Sequence, residues 1–198
     1  MYKKLPSQPS NPCVTQPPST SFGPPMAKIS VDLFDHSGKS HLICVDRWSS
    51  FPLYKRLSSL STQSVINILC DWFNILGWPL SIHSDRGPQF GSSFTAWCTK
   101  NNIIHELSAP YNPKSNGQAE SAIKNVKYLL SKCLETGQDA DRALYEWRNV
   151  NKADGYSPAQ LLFGKKQYTF LPAAASHFSF YDIDIAKEVK DKKFDQAR

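Results

Sequence analysis

Two β-rich runs, Ala27–Phe34 and Ser40–Asp46, are joined by the turn residues His36-Ser37-Gly38-Lys39, and a third run covers Phe51–Leu57. Short strands with close turn signals predict an antiparallel meander. The period then changes. Val65, Ile66, Leu69, Phe73 and Leu76 recur at steps of three and four, which predicts an amphipathic helix over Thr62–Leu76. Gly77 and Pro79 end it. Leu80–Ser84 reads as a short apolar strand, Asp85–Phe90 as a turn, Ser92–Asn101 as a helix and Ile103–Leu107 as a further strand. A long helix is predicted from Asn116 to about Thr136, with Ser115 and Gln118 at capping-box spacing. Asp139–Asn149 is helical by the same reasoning. So is Ala159–Phe163, where Pro158 takes the first helical position. Strands first and helices woven between them later imply a mixed α/β architecture.

The ends differ in composition from this middle. Seven of the 14 prolines fall in the first 25 residues, among Ser, Gln, Thr and Asn, so residues 1–24 read as a linker. Residues 176–198 form a charged tail expected to be helical, with 10 charged residues in the last 17. Residues 25–175 are left as the folded core. The net charge of +6 suits a polyanionic partner. No run of 18 uncharged apolar residues exists, so no membrane span is expected. Five cysteines are spread without a Cys-x-x-Cys pair or zinc-type histidine spacing. Cys44, Cys70 and Cys133 sit in apolar segments and are expected to pack as reduced thiols, which points to a reducing compartment.

Three carboxylates carry the chemistry. Asp32 interrupts the apolar run Ile29-Ser30-Val31-Asp32-Leu33-Phe34, Asp85 opens a turn after a strand, and Glu120 lies just inside the long helix. A carboxylate inside an apolar strand needs a partner or a metal, because leaving it buried and unpaired is costly. Carboxylates at a mid-strand, a strand end and a helix start suit two magnesium ions, which take oxygen ligands and clamp an in-line phosphoryl displacement. Asp35 and Asp46 read instead as turn residues, and Glu106 as a weaker third carboxylate than Glu120. On the long helix, Glu120, Lys124, Lys127 and Ser131 share one face, while Ile123, Val126, Leu130 and Leu134 form a stripe for the core. The two lysines suit phosphate contacts, which position a nucleic acid without reading its sequence, and the other reading of this face is a surface i,i+4 ion pair between Glu120 and Lys124. Both lysines are expected to be solvated in the free protein.

The motifs run in a fixed order: Val31-Asp32-Leu33-Phe34, then Ser84-Asp85-Arg86-Gly87-Pro88-Gln89-Phe90, then Pro110-Tyr111-Asn112-Pro113-Lys114-Ser115-Asn116-Gly117-Gln118-Ala119-Glu120. Glu146-Trp147-Arg148-Asn149 and Ser157-Pro158-Ala159-Gln160-Leu161-Leu162-Phe163-Gly164 follow. In this order they resemble the catalytic core of retroviral and LTR-retrotransposon integrases, closest to the gypsy type. The resemblance implies a ribonuclease H-like fold, a mixed five-stranded sheet flanked by helices, with Asp32, Asp85 and Glu120 as a DDE triad of catalytic metal ligands. It implies two Mg²⁺ (or Mn²⁺) ions, and DNA as partner, both element ends and target. Tyr111, Asn116, Lys124 and Lys127 match positions near that DNA. The activity implied is DNA 3′-end processing followed by strand transfer, in the nucleus, by a homo-oligomer when full length. Between Asp85 and Glu120 lie 34 residues, one fewer than usual in retroviral integrases. The zinc-binding domain before such cores and the β-barrel after them have no counterpart here, so the chain reads as a fragment of an element's polyprotein. The alternative is a nucleic-acid-binding remnant with limited catalysis.

Overall fold

The computed structural model describes residues 23–36, 38–108, 117–153, 155–170, 172 and 174–180, with backbone alone for 117–120 and 177. Strands β1 (Lys28–His36), β2 (Lys39–Asp46) and β3 (Pro52–Arg56) form the antiparallel meander. Helix α1 (Thr62–Leu76) carries the chain back to β4 (Ser81–Ser84), and α2 (Ser92–Lys100) carries it on to β5 (Ile104–Leu107). Both later strands run parallel to β1, giving one five-stranded mixed sheet in the order β3-β2-β1-β4-β5. Helices α3 (Gly117–Thr136), α4 (Ala140–Asn149) and α5 (Pro158–Phe163) follow.

Strand alternation assigns the two faces. Ile29, Val31, Leu42 and Cys44 pack in one core with Val65, Leu69 and Phe73 of α1 and Phe94 and Cys98 of α2. Fully burying each large apolar side chain contributes roughly 1.5–3 kcal/mol. Ile43 and Val45 point the other way and pack with Ala122, Ile123, Val126 and Leu130 of α3 and Leu144 of α4. The predicted α3 stripe is therefore the packed one, although Leu134 is only half-buried. Cys44, Cys98 and Cys133 are buried free thiols, whereas Cys70 is half-buried. Burial pushes the Cys44 thiol up and that of Cys98 up to about 12, so both stay protonated.

Local signals set the element ends. Ser61 caps α1 by accepting the Ser64 N–H at 3.1 Å, and Gly77, at φ +99°, stops it. Asp139 caps α4 through the Arg142 N–H at 3.0 Å. Ser157 and Gln160 form a capping box on α5, whose Leu161 packs on Trp48. The predicted Ser115–Gln118 box and the charged tail lie outside the described residues.

The later motif Glu146-Trp147-Arg148-Asn149 ties α4 to its surroundings. Arg148 donates from Nε to the Pro52 carbonyl at 3.0 Å and lays its guanidinium over the Phe51 ring. Asn149 clasps the Gln167 backbone through both its amide oxygen and its amide nitrogen. Asp46, as expected, is structural. Its buried carboxylate accepts the backbone N–H groups of Met26 and Ser49 and closes the turn after β2. Asp35 accepts the Ser40 hydroxyl across the first hairpin.

Candidate active site

The sheet register brings two of the three carboxylates together. The last β1–β4 pair is Ser30–His83. Asp32 lies two residues further along β1 and Asp85 two residues further along the chain, just past the end of β4, and the two line one cleft with residues of α3. Here the chain order also reverses, with β2 and β3 on one flank of β1 and β4 and β5 on the other. In open α/β sheets the crevice at such a point, beyond the strand ends, is where ligands bind. A cleft of about 300 Å³ opens there, lined by Ser30, Val31, Asp32, His83, Asp85, Ser108, Ile123, Lys124 and Lys127.

Asp32 has a partner. Lys127 Nζ donates to its Oδ2 at 2.7 Å and to the Leu33 carbonyl at 2.9 Å. The two side chains are only 28% and 30% exposed, Lys127 and Asp32 respectively. Lys127 is thus not solvated as its sequence position suggested. Helix α3 crosses β1 closely enough for a four-carbon stem to reach the strand. Lys124, one turn earlier, is exposed on the cleft wall. Asp85 is exposed, and its Oδ1 accepts the Gly87 N–H at 2.9 Å. Glu120 lies in the first turn of α3, with its side chain outside the described residues, and Tyr111 and Asn116 lie outside them altogether. Glu106 is engaged elsewhere, ion-paired to Arg47 at 3.0 Å.

Among the described residues no three His, Cys, Asp or Glu side chains converge as a metal site. The donors present nevertheless suit a hard divalent cation. They are two carboxylates on one cleft, from β1 and from just past β4, and one of them already holds a cation, the Lys127 ammonium, at 2.7 Å. Asp32 and Asp85 would be the residues to hold it.

Residues without a sequence signal complete the cleft. Ser30 Oγ is buried in it with no hydrogen-bond partner among the described residues. The His83 ring lies 3.4 Å from Ser108 Oγ. Behind them His105 sits between Ser84 and Thr95, 2.8 Å from each hydroxyl. Ser84 also donates to the Asp85 carbonyl, and Thr95 to the Gly91 carbonyl. Burial, with a smaller effect from His83, holds the His105 pKa below its ordinary value and favours the neutral ring. Ser30 and His83 could have been suspected only once β1 and β4 were known to pair.

Residues 25–113 match the family model described as integrase core domain. The chain carries an integrase core domain, homologous to those of retroviral polyproteins. It is 34% identical over 131 residues to the Gag-Pro-Pol polyprotein of simian retrovirus SRV-2, covering 61% of this chain and 7% of that protein. Against the Pro-Pol polyprotein of simian foamy virus type 1 it is 30% identical over 160 residues, 74% of this chain and 13% of that one. An uncharacterised protein of Caenorhabditis elegans is 33% identical over 132 residues, 63% and 10% of the two chains. The chain therefore spans 7–13% of the length of these relatives. In fold it is similar to the catalytic core domain of BIV integrase, with TM-score 0.58 and 19% identity over 69% of this chain and 93% of that one. It is also similar to a chain of the simian T-cell lymphotropic virus intasome in complex with a PP2A regulatory subunit, with TM-score 0.60 and 22% identity, covering 83% and 65%. The fold is the ribonuclease H-like mixed sheet flanked by helices.

Proposed function

We propose that this integrase core acts as a DDE polynucleotidyl transferase for an LTR-retrotransposon-like element, processing DNA 3′ ends and joining them to target DNA. The observation that carries the reading is the pair Asp32 and Asp85, on β1 and just past β4, lining one cleft with Lys124 and Lys127 on its wall. Asp32, Asp85 and, from the first turn of α3, Glu120 are the proposed ligands of two Mg²⁺ or Mn²⁺ ions. Such ions, when bound, supply an activated oxygen nucleophile and neutralise charge on the phosphorane-like transition state.

The chain's own residues do the rest. The Gly87 N–H fixes Asp85 Oδ1, so that carboxylate faces the cleft with little rotational freedom to lose on binding. Lys124, with Tyr111 and Asn116, is assigned to the DNA backbone near the reacting phosphate. Water is the nucleophile of the first step, near the element's 3′ end. The freed 3′-hydroxyl is the nucleophile of the second, on target DNA. Neither step needs a covalent enzyme intermediate. DNA ends and target would meet the protein in the nucleus, as a homo-oligomer when full length. The alternative, a DNA-binding remnant without catalysis, has no observation of its own in its favour.

The test is reversal of strand transfer on a branched DNA with Mn²⁺, which needs only the metal ligands and local DNA contacts. The wild-type chain is expected to resolve the branch and Asp85→Asn to lose that activity along with divalent-cation binding by calorimetry. A well-folded wild-type chain with no activity would sink the reading.

A further inference from the structure

Lys127 makes two contacts that a lysine reserved for DNA would not need. Its ammonium has three N–H donors, and two are spent on protein acceptors, Asp32 Oδ2 at 2.7 Å and the Leu33 carbonyl at 2.9 Å. Both acceptors lie beyond the last β1–β4 pair, where β1 is open toward the cleft. The ammonium therefore stands where the strand's carboxylate would face a divalent ion. At under a third exposed, neither side chain is fully hydrated, so the pair is less screened than a surface pair.

We propose that Lys127 is the resident counter-cation of Asp32, and that it is exchanged for a divalent cation, which frees its ammonium for a DNA phosphate. The inference rests on the reading of Asp32 as a metal ligand. The physical case is one of competing cations on one oxygen. A compact double charge interacts with a carboxylate more strongly than a single ammonium at similar separation. The lysine stem is flexible enough to swing without moving α3. Released, Lys127 stays on the wall it shares with Lys124, and the positive charge of the cleft then faces outward. Cation loading and DNA binding are thereby coupled, and by linkage DNA must raise cation affinity by the same factor. Exchange also gives the half-buried Asp32 a cation in both states, so it is never left uncompensated.

The test measures Lys127 directly, without relying on turnover. The 198-residue chain is treated with an amine-acylating reagent with and without Mg²⁺, and labelling rates are read by mass spectrometry. Lys132, exposed on the same helix, is the internal reference. Calorimetry on the same sample reports whether Mg²⁺ has bound. The expected result is a several-fold rise in the Lys127-to-Lys132 labelling ratio on saturation with Mg²⁺. In Asp32→Asn the ratio should be high at the outset and indifferent to Mg²⁺; if that variant does not fold, the wild-type comparison decides alone. Mg²⁺ that binds while the ratio stays flat or falls would overturn the exchange and leave the metal-site reading standing. No binding of Mg²⁺ or Mn²⁺ at all would overturn both.

Discussion

At Asp85 the strand has already ended, so the direction of its carboxylate depends on the following turn and not on sheet pairing. Gly87 supplies the N–H that holds Oδ1, and a Cβ added there would meet that same oxygen at 3.0 Å. The Gly87 backbone is in an ordinary conformation, φ −59°, that alanine adopts freely. Gly87→Ala should therefore press on the carboxylate and spare the fold. Stability should stay within about 0.5 kcal/mol of wild type in urea melts. Affinity for Mn²⁺ by calorimetry should fall several-fold, because the carboxylate must turn to clear the methyl group. An unaltered affinity would mean that the turn does not orient Asp85. At this scale the sequence was informative about which residues bear chemistry and silent about what they touch. Asp32 inside an apolar run announced the need for a partner, but nothing local to either residue named Lys127, 95 positions away.

Among elements, the β1-β2-β3 meander is tied together by a ladder of rings. Phe34, His41 and Tyr54 stack across the three strands, with centroids 4.9 Å and 5.4 Å apart. His41 is 3% exposed and its Nδ1 has no hydrogen-bond partner among the described residues; burial, outweighing a backbone hydrogen bond with Lys39, holds its pKa below 6.5. A histidine whose pKa is depressed by folding is neutral in both states well above that value. As pH falls through it, the unfolded chain takes up the proton first, so stability is lost on acidification. His105 acts in the same direction. Wild-type protein should therefore be less stable at about pH 5.5 than at about pH 7.5. His41→Phe, which keeps the stack and removes the proton site, should show a smaller loss in paired urea melts. An equal loss would place the pH dependence elsewhere. Element positions were largely legible beforehand. Helix α1 occupies Thr62–Leu76 as its period and cap signals indicated, and each strand lies within two residues of its expected ends. The pairings were not. Period two tells which residues share a face, but it does not tell that β1 will take β4 as a parallel neighbour at the Ser30–His83 register. The Arg148 contact with Pro52 and the His41 stack follow from such pairings, which is why the motif around Arg148 could be seen and not explained.

For the whole molecule, the question is how a net charge of +6 is arranged against a polyanion. Much of a protein's affinity for duplex DNA comes from releasing counter-ions from phosphates, and each neutralised phosphate adds a fixed increment to the salt dependence. On the cleft wall the two lysines differ. Lys127 is held by Asp32 and Leu33, whereas Lys124 is exposed on the same face of α3. In the metal-free protein Lys124 is therefore the one expected to meet DNA. Lys124→Ala should weaken binding to a similar degree across unrelated duplexes and lower the slope of log affinity against log salt by roughly 0.9. Its solvated position means that the urea midpoint should not move, so lost binding could not be attributed to lost fold. If Lys124 is only a solubilising charge, affinity would drop slightly at low salt and the slope would stay as it was. A salt titration of both proteins, on two duplexes of different sequence and without divalent cation, separates these outcomes. A change in slope on one duplex alone would assign Lys124 to base recognition and remove it from the phosphate track.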